Sequence, residues 1–135
     1  MPEINRIHHV AVVVEDIDSS LKFWHDILGI APSHISSMPA EAARIAFLPL
    51  SESEIELVQP VTSDSGLRRF LEKHGPGMHH LCLEVDDLQG LLKRLKTEGI
   101  QLINEEPKVG DDGRRYAFIH PKSANGVLVE LYQIS

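Results

Sequence analysis

A single cysteine, Cys82, occurs in 135 residues. That excludes an intramolecular disulfide framework and fits a reducing compartment. Basic residues are scarce: 13 Lys and Arg against 20 Asp and Glu give a formal charge of −7. A nucleic-acid-binding chain normally carries a basic excess or stripe, so that class is set aside. No apolar run approaches the roughly 20 residues of a membrane-spanning helix. The start, Met1-Pro2-Glu3, lacks the basic and apolar regions of a secretory signal. The expected location is therefore the cytoplasm, with no membrane and no nucleic acid as partner. What remains is an ordinary globular composition, 42% hydrophobic and 24% charged, in a length that suits one domain. Histidine is the exception. Eight of them invite a search for metal or proton chemistry.

The chain repeats itself. His8-His9-Val10-Ala11-Val12-Val13-Val14-Glu15-Asp16-Ile17 matches His79-His80-Leu81-Cys82-Leu83-Glu84-Val85-Asp86-Asp87-Leu88 at an offset of 71 residues. Leu21-Lys22 matches Leu92-Lys93, and Gly29-Ile30 matches Gly99-Ile100. Further along, Ile55-Glu56-Leu57-Val58-Gln59 matches Val129-Glu130-Leu131-Tyr132-Gln133. The sequence therefore predicts two modules, about 5–62 and about 78–135, joined by a linking helix at about 65–75.

Each module reads β-α-β-β-β. In the first, His8–Val14 is a strand, and Asp16 or Asp18 caps a helix from Ser19 to Leu28, stopped by Gly29. Leu21, Trp24 and Leu28 should face the sheet. A short strand follows between Pro32 and Pro39, then strands at Arg44–Pro49 and Glu54–Gln59. In the second, His79–Val85 is a strand and Asp87–Glu98 a helix, with Leu88, Leu91, Leu92 and Leu95 inward. Short strands are expected near Gln101–Asn104, Arg115–Ile119 and Val127–Gln133.

Strand alternation places chemistry on one face. Val10, Val12 and Val14 pack on the helix, leaving His9 opposite; Ile55 and Leu57 pack there too, leaving Glu56 opposite with Glu54. Leu81, Leu83 and Val85 pack inward and leave His80 with Cys82, while Val127, Val129 and Leu131 leave Glu130. Two imidazoles and two carboxylates thus hold equivalent positions. If the modules pair into one curved mixed sheet, the four can converge near its centre. Such a mixed N/O set suits one divalent ion (Co, Mn, Ni, Zn or Mg), with two positions free for water or substrate. His8 and His79 are expected on the opposite face in buried, hydrogen-bonded roles. Cys82 reads as a small buried filler, His25, His34 and His74 as surface residues, and Phe23 and Trp24 as core or dimer contacts.

These residues resemble the vicinal oxygen chelate superfamily, which includes glyoxalase I, bleomycin-resistance proteins, extradiol dioxygenases and methylmalonyl-CoA epimerases. Several stretches look like the epimerase family in particular: Phe47-Leu48-Pro49, Ile55-Glu56-Leu57-Val58-Gln59-Pro60, Gly77-Met78-His79-His80, Asn104-Glu105-Glu106-Pro107 and, most specifically, His120-Pro121-Lys122-Ser123-Ala124-Asn125-Gly126. The resemblance runs from about Ile7 to Gln133. It implies an α+β, glyoxalase-like fold of tandem βαβββ modules and a homodimer. Its metal ligands would be His9, Glu56, His80 and Glu130. One departure stands out. The epimerases usually read Pro-Glu-Gln-Gly-Val before the third strand, and some carry a second catalytic Glu just beyond it. Here the sequence is Pro39-Ala40-Glu41-Ala42-Ala43-Arg44, and Arg44 and Ile45 hold no carboxylate. Glu41 is the nearest acid, with a surface role as the simpler reading.

The activity that the resemblance implies is epimerisation at C2 of an acyl-CoA thioester such as methylmalonyl-CoA. A divalent ion stabilises the enolate formed by proton removal. Glu130 is the first candidate for proton transfer, with Glu56 symmetric to it and Glu41 a distant second catalytic candidate. Lys122, Ser123 and His120 are candidate substrate contacts. Alternatives are a glyoxalase I-type lyase acting on a hemithioacetal, an iron extradiol dioxygenase, and a metal-free antibiotic-binding protein. The last typically lacks the His/Glu quartet.

Overall fold

The structure, a computed structural model, describes residues 2–134. Its main elements are β1 (Ile4–Val13), α1 (Ile17–Leu21) continued by a π-helical turn (Lys22–Ile27), β2 (His34–Met38), β3 (Ala43–Pro49) and β4 (Glu54–Pro60). Then follow α2 (Gly66–His74), β5 (Gly77–Val85), α3 (Leu88–Thr97), β6 (Lys108–Val109), β7 (Arg115–Ile119) and β8 (Val129–Gln133). The βαβββ order occurs twice and the fold class is α+β, as expected. Two compact units result: residues 9–79, and the residues up to His8 together with those from His80 onward.

In the unit of residues 9–79 the strand order is β2-β3-β4-β1. β1 and β4 are parallel, with Val10 opposite Ile55 and Val12 opposite Leu57, and the remaining pairs are antiparallel. Both faces of this sheet are covered. Val14, Ile17, Ala46, Leu48 and Leu57 pack with Val12, Leu21, Trp24 and Ile55 on the helix side. Ala11, Ala43, Ile45, Phe47 and Val58 pack on the other. That double burial accounts for the unbroken apolar run Val10–Val14, which a half-solvated strand would not show. Asp16 caps α1: its carboxylate accepts from the Ser19 amide at 2.8 Å and from the Ser19 hydroxyl at 2.7 Å. The Ser19 hydrogen bonds hold the Asp16 carboxyl below its ordinary value.

The first helix departs from the expected regular α form. The Leu28 amide donates to the Phe23 carbonyl, five residues back. This wider winding turns Leu28 away from the sheet. Leu28 is half-exposed, as is Phe23, while Trp24 stays against the core. Gly29, at φ +81°, ends the turn.

The other unit repeats the design. Its strand order is β5-β8-β7-β6, with β5 and β8 parallel. Val85, Leu88, Leu92, Ala117, Val129 and Leu131 form the core, with Leu83, Leu91 and Leu95 packed on it. Each fully buried Leu here contributes about 2 kcal/mol. Asp87 caps α3 through the Gly90 amide at 3.0 Å. A further device is duplicated: Gln133 Oε1 accepts the Leu88 amide at 2.7 Å, and Gln59 Oε1 accepts the Ile17 amide at 2.9 Å. In each unit a glutamine at the end of the last strand thus satisfies an orphan donor at the helix N-terminus. The start of β1 also belongs to this unit. The Asp86 amide donates to the Glu3 carbonyl, and Arg6 Nε reaches Glu84 at 2.9 Å.

Two expectations fail in this half. Gln101–Asn104 is not a strand; only a single bridge joins Leu102 to Ile119. The Asn104 side chain accepts the Phe118 amide at 2.9 Å and so takes a ladder partner's place. The short strand forms later, at Lys108–Val109, beyond Pro107. Val127 lies outside β8 and is 40% exposed, because Asn125 and Gly126 turn the chain at positive φ. No helix among the described residues is long and apolar enough to cross a membrane.

Candidate metal and substrate site

Each unit presents one histidine–glutamate pair at the positions the repeat predicts; His9, Glu56 and Glu130 are buried and His80 is partly buried. In the first, His9 Nδ1 lies 3.2 Å from Glu56 Oε2. Both residues are buried, 5% and 8% exposed. The β1–β4 register sets them side by side: His9 is opposite Glu54, and Ala11 opposite Glu56. A buried carboxylate costs several kcal/mol unless a cation or donor compensates it. The imidazole is one such partner here.

In the second unit His80 Nε2 lies 3.0 Å from Glu130 Oε1. Glu130 is 8% exposed. Phe118, directly opposite Glu130 in the β7–β8 ladder, meets the His80 ring edge-on at 5.4 Å. Cys82, opposite Glu130 on β5, is fully buried and fills space beside the pair.

Sequence reasoning missed two features of these pairs. Phe47 stands opposite Glu56 as Phe118 stands opposite Glu130, so each carboxylate has an aromatic cross-strand neighbour. The signal was present, since Ala46-Phe47-Leu48 matches Ala117-Phe118-Ile119 at the same 71-residue offset. The second is Glu54. One donor atom each from His9, Glu54 and Glu56 lie within 4.8 Å of one another. Imidazole nitrogen with carboxylate oxygen is a donor set that fits divalent Co, Mn, Ni, Zn or Mg.

The loop before β8 is held by two of its three candidate residues. His120 Nδ1 accepts the Lys122 amide at 3.0 Å, and Ser123 Oγ accepts the Gln101 amide at 2.9 Å. Lys122 itself is exposed. Glu41 is exposed on a one-turn 3-10 helix, Pro39–Glu41.

The expected orientation of His8 is corrected. Its ring meets Tyr132 edge-on at 4.8 Å. Tyr132 is two residues beyond Glu130 and therefore on the same face of β8. Arg6, two residues before His8, pairs with Glu84 on the His80 side of β5. Simple alternation through His8 and His9 had placed His8 on the helix side. His79 meets Phe70 of α2 edge-on at 5.0 Å. Around Tyr132 the phenol donates to Asp112, and the Arg114 guanidinium sits 6.0 Å over its ring. Burial and the Asp112 carboxylate push the Tyr132 phenol well above its ordinary value.

Residues 8–118 match the model of the Glyoxalase/Bleomycin resistance protein/Dioxygenase superfamily. The mitochondrial methylmalonyl-CoA epimerase of Mus musculus is 38% identical over 132 residues, 97% of this chain and 74% of that protein. The ethylmalonyl-CoA/methylmalonyl-CoA epimerase of Cereibacter sphaeroides is 36% identical over 133 residues, 97% of this chain and 99% of that one. A solved methylmalonyl-CoA epimerase in complex with methylmalonyl-CoA and NH4+ superposes with a TM-score of 0.90 at 27% identity, covering 98% of this chain and 96% of its own. The chain belongs to the glyoxalase/bleomycin-resistance/dioxygenase superfamily and, within it, to the methylmalonyl-CoA epimerase family, and is an isomerase of that kind.

Proposed function

We propose that this chain interconverts the C2 epimers of methylmalonyl-CoA, or of a close 2-alkylmalonyl-CoA, through an enolate and with one divalent ion per chain. The observation that carries the reading is the duplicated pairing of His9 with Glu56 and His80 with Glu130, with both carboxylates buried. The names of the relatives supply the substrate class.

His9, Glu56, His80 and Glu130 would hold the ion, which when bound supplies Lewis acidity toward the substrate's carbonyl oxygens. The remaining steps belong to side chains. A carboxylate takes the C2 proton, leaving the electron pair delocalised onto the thioester carbonyl. A second group then returns a proton to the opposite face of C2. Glu130 takes one of these transfers, and Glu41 is the weaker candidate for the other. The apolar packing of Phe118 beside the His80–Glu130 pair keeps water away and strengthens each charge interaction. Lys122 meets the negative charge of the acyl-CoA, on a loop whose shape His120 and Ser123 fix. We further propose a homodimer in the cytoplasm.

The test is direct. One epimer of methylmalonyl-CoA is incubated with the protein, and the epimer ratio is followed chromatographically. Approach to an equal mixture at catalytic rates supports the reading. A constant ratio, with metal shown to be bound, refutes it.

A further inference from the structure

The two modules hold their cross-strand aromatics, Phe47 and Phe118, by different means. Gly29-Ile30 matches Gly99-Ile100, so by the same spacing Ser33 falls on Ile103 and His34 on Asn104. One bond is common to both: the Ser33 amide donates to the Phe47 carbonyl at 2.8 Å, and the Ile103 amide to the Phe118 carbonyl at 2.9 Å. Beyond it the modules part. His34 opens the five-residue strand β2, pairs with Phe47 in the ladder and stacks on its ring at 4.4 Å. Asn104 opens no strand. Its side-chain oxygen accepts the Phe118 amide at 2.9 Å, next to a single bridge between Leu102 and Ile119.

Both main-chain polar groups of Phe118 therefore bond to residues 103 and 104, away from β8. Phe118 and Glu130 are then a non-hydrogen-bonded cross-strand pair, the kind that brings side chains closest. The Phe118 ring also meets the His80 ring edge-on at 5.4 Å, and His80 Nε2 is 3.0 Å from Glu130 Oε1. A whole strand stands beside Phe47, whereas one side-chain hydrogen bond fixes the amide of Phe118. We infer that Asn104 is a positioning residue: it fixes Phe118 and, through the Phe118 ring, the orientation of His80 toward Glu130. The inference rests on the roles proposed above for His80 and Glu130. It also gives a task to the Asn104-Glu105-Glu106-Pro107 stretch, which the reaction itself does not use.

The test compares variants that separate the acceptor from the ring. Asn104→Ala removes the acceptor, Asn104→Asp keeps one, and Phe118→Leu removes the ring but keeps the amide. Asn104→Ala should lower kcat for epimer interconversion about tenfold with KM nearly unchanged, the low end of what supporting groups around a metal site are worth. Asn104→Asp should recover most of the loss. In the Phe118→Leu background, Asn104→Ala should change kcat by no more than about twofold, because its effect travels through the missing ring. A second readout needs no turnover. In metal-free protein the His80 ring-proton NMR signals, assigned by their loss in His80→Gln, should shift in Asn104→Ala and return toward their wild-type positions in Asn104→Asp. Asn104→Leu, close in volume and without an acceptor, serves both measurements if the Ala variant folds poorly. Unmoved His80 signals in a folded Ala or Leu variant overturn the inference, as does an equal fractional loss of kcat with and without the Phe118 ring. Shifted signals in a protein whose wild type shows no turnover would support the positioning role and overturn the proposed reaction.

Discussion

Replacing Glu130 by Gln separates chemistry from folding. The side chain keeps its size and one acceptor oxygen. His80 Nε2, now 3.0 Å from Oε1, can still donate to the amide oxygen. What is lost is the charge assistance of one hydrogen bond, about 1 kcal/mol, and against it stands the relief of a buried carboxylate's desolvation. The two effects are opposite in sign, so stability should change by no more than about 1 kcal/mol. For a chain of this length that is a shift of about 3–5 °C in the unfolding temperature. Turnover should respond far more. A positioned proton-transfer group contributes about 10²–10⁴-fold, and the amide cannot take a proton at C2. Glu130→Gln should therefore lose at least about 100-fold in kcat while unfolding near the wild-type temperature. The assays are epimer interconversion and thermal unfolding by circular dichroism on the same preparation. A folded variant with kcat within tenfold of wild type would refute the assignment of Glu130.

Other outcomes follow from the same structure. Lys122→Ala should raise KM about tenfold, one charged hydrogen bond's worth, with kcat nearly unchanged; a steady-state series in acyl-CoA checks it. Gln133→Ala should cost about 1–2 kcal/mol by leaving the Leu88 amide unpaired, and Gln59→Ala a similar amount at Ile17. The two losses should add in the double variant, as read by urea unfolding. Tyr132 ionises less readily in the folded chain than its ordinary value of 10.0. Its stabilising contribution is therefore complete below pH 10 and is lost as pH rises past it, since the unfolded phenol releases its proton first. Tyr132→Phe should flatten the fall of stability above pH 10 in alkaline unfolding curves.

Much of this was legible because the repeat reads the same pattern twice. The strand-by-strand alternation around His9, Glu56, His80 and Glu130 follows from a period of two, and each pair forms where that period places it. The capping by Asp16 and Asp87 is a local side-chain preference and is visible for the same reason. Other features depend on contacts that no local rule encodes. The π-helical turn that exposes Leu28 depends on tertiary packing. The displaced short strand arises because the Asn104 side chain competes for the Phe118 amide. His8 escapes the expected face because β1 serves one unit up to His8 and the other from His9, with separate partners in each. Glu54 was placed on the right face but not weighed. Its significance lies in its cross-strand partner, and register is not written in one strand's sequence.

The central claim is metal-assisted removal of the C2 proton beside a thioester. It is tested most directly by incubating the protein with methylmalonyl-CoA in D₂O and following the α-proton signal by NMR, with and without chelator. The account predicts exchange that chelator abolishes and added divalent metal restores. Exchange that chelator leaves untouched would contradict the metal's role, and no exchange in metal-loaded protein would contradict the proton abstraction itself.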